Sequence, residues 1–131
     1  MMQLFVSDPS FLQHLQQDAR QRGTVVFYLD GSQIDSKDDL LKEIATVTQF
    51  PEDFGSNWDA LYDYLTDLSW CDASEYLFIY DNAQILAHAA PEDWHTFCAI
   101  LRDTVTYWQD SATPLNVVIA GTDVTDSLQT I

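Results

Sequence analysis

Three short segments of this chain are almost continuously apolar, and longer amphipathic segments separate them. They are Thr24-Val25-Val26-Phe27-Tyr28-Leu29, Tyr76-Leu77-Phe78-Ile79-Tyr80 and Leu115-Asn116-Val117-Val118-Ile119-Ala120. Strands without polar alternation are typically buried on both faces, as in a parallel sheet covered by helices. Because parallel strands need long crossover connections, usually helical, the pattern predicts an α/β fold with a small three-stranded parallel β-sheet packed with helices.

The intervening segments carry apolar residues at helical spacing and begin at capping residues. We predict a first helix capped by Ser7 or Asp8, with Pro9 at its first position and Gly23 after its end. A second helix is predicted to start at Ser36 and stop at Phe50-Pro51, and a third to run from Asn57 to about Leu68. A short helical turn is predicted within 81–90, and the longest helix from Pro91 to about Gln109.

The length of 131 residues and the 47% hydrophobic content predict one domain with one core. We predict an N-terminal helical extension over 1–23, the core over 24–120 and a tail over 121–131. The two cysteines, Cys71 and Cys98, are too few for a disulfide scaffold and are interpreted as small hydrophobic residues. No signal sequence or membrane-spanning run is recognisable, so a cytoplasmic location is expected.

Charge is distributed very unevenly along the chain. The formal net charge is −16, and between Lys42 and Arg102 there are eleven carboxylates and no lysine or arginine. Proteins bind nucleic acid largely by neutralising phosphates with lysine and arginine, so nucleic acid is not an expected partner. Anionic membranes and phosphorylated small-molecule substrates are disfavoured for the same reason. A surface of this kind predicts a basic protein partner, which it attracts over long range.

The third predicted helix concentrates this charge on one side. When its residues are placed at 100° intervals around the helix axis, one arc of the helix faces the core and the other faces solvent. The core arc holds Trp58, Leu61, Leu65 and Leu68, and the exposed arc holds Asp59, Tyr62, Asp63 and Thr66. Asp59 and Asp63 are one turn apart and repel each other, so the pair is better suited to an external contact than to stabilising its own helix. Gly55 is expected to allow a positive φ in the preceding loop, which presents Glu52 and Asp53 beside the helix.

The acids could instead form an active site. Asp59, Asp63 and Asp67 have the i, i+4, i+8 spacing that could hold Mg²⁺. A phosphohydrolase, however, also needs positive groups to stabilise phosphate charge, and this region has none. No nucleophile motif, phosphate-binding glycine loop or paired-histidine spacing is present. We therefore predict no catalytic residues, no metal and no cofactor.

The run Phe50-Pro51-Glu52-Asp53-Phe54-Gly55-Ser56-Asn57-Trp58-Asp59-Ala60-Leu61-Tyr62-Asp63-Tyr64-Leu65-Thr66-Asp67 resembles the signature of the barstar family, the intracellular inhibitors of barnase-type ribonucleases. The family pattern is Pro-Glu, an aromatic pair, Gly-x-Asn-x-Asp-Ala-Leu, an aromatic residue, Asp, then Leu-Thr. Upstream, Tyr28-Leu29-Asp30-Gly31-Ser32-Gln33-Ile34 is similar to the first strand and turn of the family. The resemblance covers roughly Thr24 to Ala120, and the opening helix has no counterpart in the short founding members.

The resemblance implies a barstar-like fold and a function in which the loop and helix block a ribonuclease active site. Carried over by position, Asp59 and Asp63 match the two principal acids of the family, Tyr62 an aromatic contact, and Asp103 a further acid on the long helix. The chain departs from the family at Asp53, where an aromatic residue is common, and at Tyr62, where tryptophan is common. The predicted partner-binding residues are Asp53, Asn57, Asp59, Tyr62, Asp63, Thr66 and Asp103, with Pro51 and Gly55 shaping the loop.

The leading hypothesis is therefore a stoichiometric, non-catalytic inhibitor of a basic, extracellular-type ribonuclease, serving as an immunity or antitoxin protein. An acidic binding module for a basic partner that is not a nuclease is the alternative. A carboxylate metalloenzyme is a third hypothesis.

Overall fold

The computed structural model describes residues 2–5, 9–52 and 54–121, with side chains from residue 10 onward. Within these residues the chain forms four strands and five α-helices, with a short 3₁₀ helix at Gly31–Gln33. In chain order they are β1 (Met2–Phe5), α1 (Pro9–Gln21), β2 (Val25–Asp30), α2 (Lys37–Thr48), α3 (Trp58–Leu65), β3 (Tyr76–Asp81), α4 (Gln84–Ala89), α5 (Pro91–Gln109) and β4 (Leu115–Ala120).

The strands form one parallel sheet in the order β1-β4-β3-β2. The first five residues of β3 are all buried, as expected for a central strand covered on both faces. The predicted α/β architecture, with its three strands and an additional N-terminal helix, is confirmed. The sheet also contains β1, which the sequence pattern did not indicate, because four residues before a helix are too short to show a periodicity.

Successive residues of the central strands point to opposite sides of the sheet and enter two separate cores, where the composition predicted one. Phe78 and Tyr80 of β3 belong to the larger core, which α2, α3, α4 and α5 cover. Leu77 and Ile79 belong to the smaller core, against Leu12 of α1 and its neighbours. The helices that carry the acidic residues therefore lie on one face of the sheet, and α1 lies on the other.

By their helical spacing, Phe11, Leu12, Leu15 and Ala19 form one apolar stripe on the N-terminal helix. Leu12 and Ala19 are buried and Leu15 is half-buried, whereas Phe11 is 40% exposed. The proposed cap at Ser7 or Asp8 and the predicted tail beyond Gly121 lie outside the described residues. The second face of the sheet is thus covered by α1.

Two boundary predictions for the helices agree with the structure. The hydroxyl of Ser36 caps α2 by accepting a hydrogen bond from the backbone N–H of Asp39 at 3.2 Å. The helix ends at Thr48, and Gln49 takes the left-handed conformation just before Phe50. The short helical turn expected within 81–90 is α4.

Candidate functional site

A groove of about 550 Å³ lies between α3 and α5. Its lining combines three carboxylates, two aromatic side chains and two smaller residues, namely Asp59, Asp63, Asp103, Trp58, Tyr62, Thr96 and Ile100. Asp59, Tyr62 and Asp63 come from one helix and Asp103 from the other, forty residues further along the chain. Tertiary packing thus brings together four of the seven predicted partner-binding residues.

The three carboxylates of the groove are available to an external ligand. Asp59, Asp63 and Asp103 are all exposed. Within the described part of the chain, none of them forms an ion pair or a side-chain hydrogen bond. Like charges that share a concave surface repel one another and stay solvated unless cations arrive. The groove is therefore suited to receive basic side chains.

The loop before α3 is joined to the helix by Asn57. Its side-chain oxygen accepts a hydrogen bond from the backbone N–H of Ala60 at 2.8 Å, and its amide nitrogen donates to the carbonyl of Gly55 at 3.3 Å. Asn57 is thus the N-cap of α3, as the sequence indicated. Both polar atoms of the Asn57 side chain make hydrogen bonds to the backbone. A contact of Asn57 with a partner would therefore have to form without breaking the cap.

The expected positive φ at Gly55 is wrong. The left-handed residue of this loop is Ser56, with φ of 52°. A Cβ at Gly55 would lie 3.1 Å from the amide nitrogen of Asn57, so the small size of this glycine leaves room for the capping side chain. Gly55 therefore shapes the loop by sterics, and Pro51 contributes a turn by accepting a hydrogen bond from the N–H of Phe54 at 3.0 Å.

Four aromatic rings hold the loop against the inner side of α3. Phe50 contacts Phe54, Tyr64 and Trp70 at centroid distances of 4.9, 5.2 and 5.7 Å, and Tyr64 contacts Phe54 and Trp70 at 5.3 and 5.5 Å. Aromatic pairs at these distances each add about 0.5–1.5 kcal/mol beyond area burial. Pattern reasoning missed this aromatic cluster, although Phe50, Phe54 and Tyr64 all belong to the quoted motif.

The acidic helix is shorter than predicted, because it ends at Leu65 and not at Leu68. The indole N–H of Trp108 on α5 donates to the carbonyl of Leu65 at 2.8 Å and so satisfies one of the free carbonyls at the helix end. Leu68 is buried as expected, but in the left-handed conformation with φ of 52°. Asp67 lies beyond the helix, so the i, i+4, i+8 series of the metal hypothesis is interrupted.

Thr66 is placed at the end of α3 and not in the groove lining. Its hydroxyl donates to the carbonyl of Tyr62 at 2.8 Å and lies 3.3 Å from the carbonyl of Asp63. Asp53, another predicted contact, lies outside the described residues. The roles of both residues stay predictions.

Trp58 differs from its predicted place in the core. Leu61 and Leu65 are buried on the core arc, whereas Trp58 is half-buried, packs at the margin of the core and lines the groove. The ammonium group of Lys37 lies over its ring, 5.1 Å from the centroid. Trp58 is the first residue of α3, where the chain enters from the loop, which explains why its ring is only partly covered.

A second groove of about 550 Å³ lies on the other side of the loop, between the loop and α2. Phe50, Pro51 and Phe54 supply part of its wall, and Lys42 and Glu52 supply charges. Sequence reasoning missed this groove, since residues of α2 and the loop approach each other only in the folded chain.

Other groups bear on the alternative hypotheses. Within the described residues, no cluster of three or more histidine, cysteine, aspartate or glutamate side chains has an arrangement that could hold a metal ion.

Cys71 is half-buried and Cys98 buried, and both are free thiols. Burial raises the pKa of the Cys98 thiol, which keeps it protonated and unreactive at neutral pH. No helix in the described part of the chain has the length and apolarity needed to cross a membrane.

Comparison with known proteins gives one family match and several fold matches. The sequence model of the family described as Barstar (barnase inhibitor) matches residues 24–120, which is most of the chain. No curated protein matches the chain.

Two solved structures share the fold. One is the Aeropyrum pernix ORC2 protein in its ADPNP–ADP complexes, with a TM-score of 0.61 and 15% identity over 98% of this chain and 37% of that one. The other is the Walker-type ATPase PABY2304 of Pyrococcus abyssi, with a TM-score of 0.54 and 14% identity over 98% of this chain and 43% of that one. The chain thus spans less than half the length of either protein, and at these identities the likeness concerns the fold alone.

Proposed function

The chain belongs to the barstar family, and from this premise we propose that it is a stoichiometric, non-catalytic inhibitor of a basic ribonuclease. In this proposal the groove between α3 and α5 and the loop before α3 cover the active site of the enzyme. The protein would serve the cell that makes the ribonuclease as an immunity or antitoxin protein, and would act in the cytoplasm.

The observation that carries the proposal is a set of exposed carboxylates in one groove, none of which has a side-chain partner within the described part of the chain: Asp59, Asp63 and Asp103. A ribonuclease cleft holds phosphates with lysine, arginine and histidine. Carboxylates at fixed positions can occupy the sites of those phosphates and accept charge-assisted hydrogen bonds from the same donors. Removing an inhibitor carboxylate from such a complex leaves the opposing cations unpaired, which makes the loss large.

Rigidity of the groove supports the same function. Asn57 caps the start of α3, Trp108 binds its last carbonyl, and the aromatic cluster holds the preceding loop. Groups that are already in place when the partner arrives lose little conformational entropy on binding. The acids are therefore presented by a preformed surface.

The net charge supports rapid capture. At −16 the chain attracts a basic enzyme over distances longer than any single contact. Such attraction raises the association rate and weakens with added salt, and the barnase–barstar pair is itself a standard example of this behaviour.

Inhibition assays against a panel of secreted microbial ribonucleases, barnase among them, test the proposal. We expect inhibition at one inhibitor per enzyme. Asp63→Ala should weaken binding by at least tenfold, as expected when a charge pair loses one member. Asp72→Ala, which removes an equal charge outside the groove, is the matched control. Equal effects of the two substitutions in calorimetric titrations, or no inhibition of any enzyme, would contradict the proposal.

A second candidate function rests on the two departures from the family pattern, Asp53 and Tyr62. Tyr62 lines the groove, and Asp53 belongs to the sequence motif that precedes α3, which favours a surface adapted to a basic protein that is not a nuclease. Capture of partners from a cell extract, followed by a nuclease assay of the captured protein, separates this candidate from the first.

A further inference from the structure

Lys37 places a positive charge at the edge of the acidic groove. Its ammonium group lies 5.1 Å from the centroid of the Trp58 ring, and Trp58 lines the groove together with the acids. Among the described residues Lys37 makes no ion pair, so the ring is the contact that orients it. The chain has only five lysine and arginine residues. One of them is thus held by an aromatic ring that belongs to the proposed binding surface.

Local stability does not explain a lysine at this position. Lys37 is the first residue of α2, directly after the cap Ser36, where the helix dipole disfavours a cation. Trp58 is likewise the first residue of α3, so the ammonium group also lies near the start of a second helix. A cation–π contact at a partly exposed site is of the same order as one such dipole penalty, so it does not by itself favour a lysine here.

Resting on the proposed function, we infer that Lys37, held on Trp58, is a specificity-determining residue of the inhibitor. It requires the partner to place a carboxylate beside its basic cleft, opposite the start of α3. A basic enzyme that presents a cation at that position would be repelled by Lys37. The groove therefore recognises a pattern of charge, with cations opposite Asp59 and Asp63 and an anion opposite Lys37.

The sign of the effect separates this inference from general charge attraction. If only net charge mattered, removing a lysine would make the inhibitor more acidic and would strengthen its binding to a basic enzyme. The inference requires the opposite for Lys37, namely weaker binding. Lys42 lies on the same helix but lines the other groove, so Lys42→Gln carries the same charge change without the contact.

The test measures the dissociation constants of the wild-type chain, Lys37→Gln, Lys42→Gln and Asp63→Ala for each ribonuclease that the wild type inhibits, with barnase as the first probe. We expect Lys37→Gln to weaken binding about fivefold, the size of an exposed ion pair, and Lys42→Gln to leave it unchanged or strengthen it. Thermal unfolding of both variants verifies that they fold as the wild type does.

The outcomes distinguish the two levels of the proposal. If Asp63→Ala weakens binding but Lys37→Gln binds as tightly as Lys42→Gln, the inhibitor function stands and the role of Lys37 is refuted. If the wild type inhibits none of the enzymes, the proposed function fails and the inference fails with it.

A double-mutant cycle then identifies the partner group. Each aspartate and glutamate near the basic cleft of the inhibited enzyme is changed to alanine and combined with Lys37→Gln. One of these acids should lose its effect on binding when Lys37 is already absent. Additive effects for every acid would overturn the inference.

Discussion

Replacing Asp63 by asparagine should make the free protein more stable while it destroys the proposed binding surface. Asp63 is exposed on α3, one turn after Asp59, and shares the groove with Asp103. Its carboxylate has no side-chain partner within the described residues. The substitution therefore removes repulsion and breaks no internal contact that the structure shows.

Two terms set the expected size of this gain. Like charges at i and i+4 destabilise a helix by about 0.2–0.5 kcal/mol. Asp63 also lies in the last turn of α3, where the dipole disfavours an anion by about 0.3–1 kcal/mol. The free energy of unfolding should thus rise by about 0.5–1.5 kcal/mol, which corresponds to an increase in Tm of roughly 2–6 °C for a domain of this size.

Urea unfolding of the wild type and of Asp63→Asn at low salt measures the difference. The gain should shrink in about 1 M salt, which screens exposed charges. Asp72→Asn, exposed and outside any helix, is the control and should change stability little. A loss of more than about 0.5 kcal/mol in Asp63→Asn would show that the carboxylate is held by an internal partner, since such a bond contributes about 0.5–1.5 kcal/mol, and would refute the reasoning.

Three further outcomes follow from the supports of the groove and from one carboxyl group. Asn57→Ala removes the cap of α3 and should lower the free energy of unfolding by about 1 kcal/mol. Asn57→Asp can still accept the hydrogen bond and should retain most of the stability of the wild type. Chemical denaturation measures both variants, and equal losses would argue against the cap. Trp108→Phe leaves the carbonyl of Leu65 without its indole donor and should lower the free energy of unfolding by about 1–3 kcal/mol in the same assay. A negligible loss would show that water replaces the indole at that carbonyl and would refute the role given to Trp108. The hydrogen bond from the backbone N–H of Ser32 lowers the pKa of the Asp30 carboxyl; the carboxylate therefore contributes stability above its ordinary pKa near 4, which is lost as pH falls through the lowered value. Stability measured between about pH 5 and pH 2 should be less pH-dependent in Asp30→Asn, and an unchanged profile would contradict this assignment.

The parts of the site that depend on a single helix were predictable from local pattern. Asp59 and Asp63 follow from their spacing, and Asn57 follows from the preference of asparagine for the cap position. The end of α3 was not predictable in this way. At that end the Leu65 carbonyl accepts a hydrogen bond from Trp108 on another helix, a contact between residues 43 positions apart that local pattern does not reveal.

Trp58 and Gly55 show two other limits of local reasoning. Periodicity placed Trp58 in the core arc. How far its ring is buried, however, depends on how the preceding loop and α2 pack against the first turn of α3. Gly55 was interpreted through backbone freedom, while its structural reason is the proximity of the Asn57 amide.

Local sequence determined the elements of this protein that depend on contacts within about one turn or one strand. These are three of the four strands, the helix starts at Ser36 and Asn57, and the acidic face of α3. Their physical basis is the short range of backbone sterics, capping hydrogen bonds and side-chain periodicity.

Tertiary structure decided which distant residues share a surface. It paired β1 with β4 across more than a hundred residues, brought Asp103 to the groove of Asp59 and Asp63, and laid Lys37 over Trp58. These juxtapositions arise from burying two faces of a sheet under helices, and no local pattern encodes the relative placement of elements that meet only when the core forms.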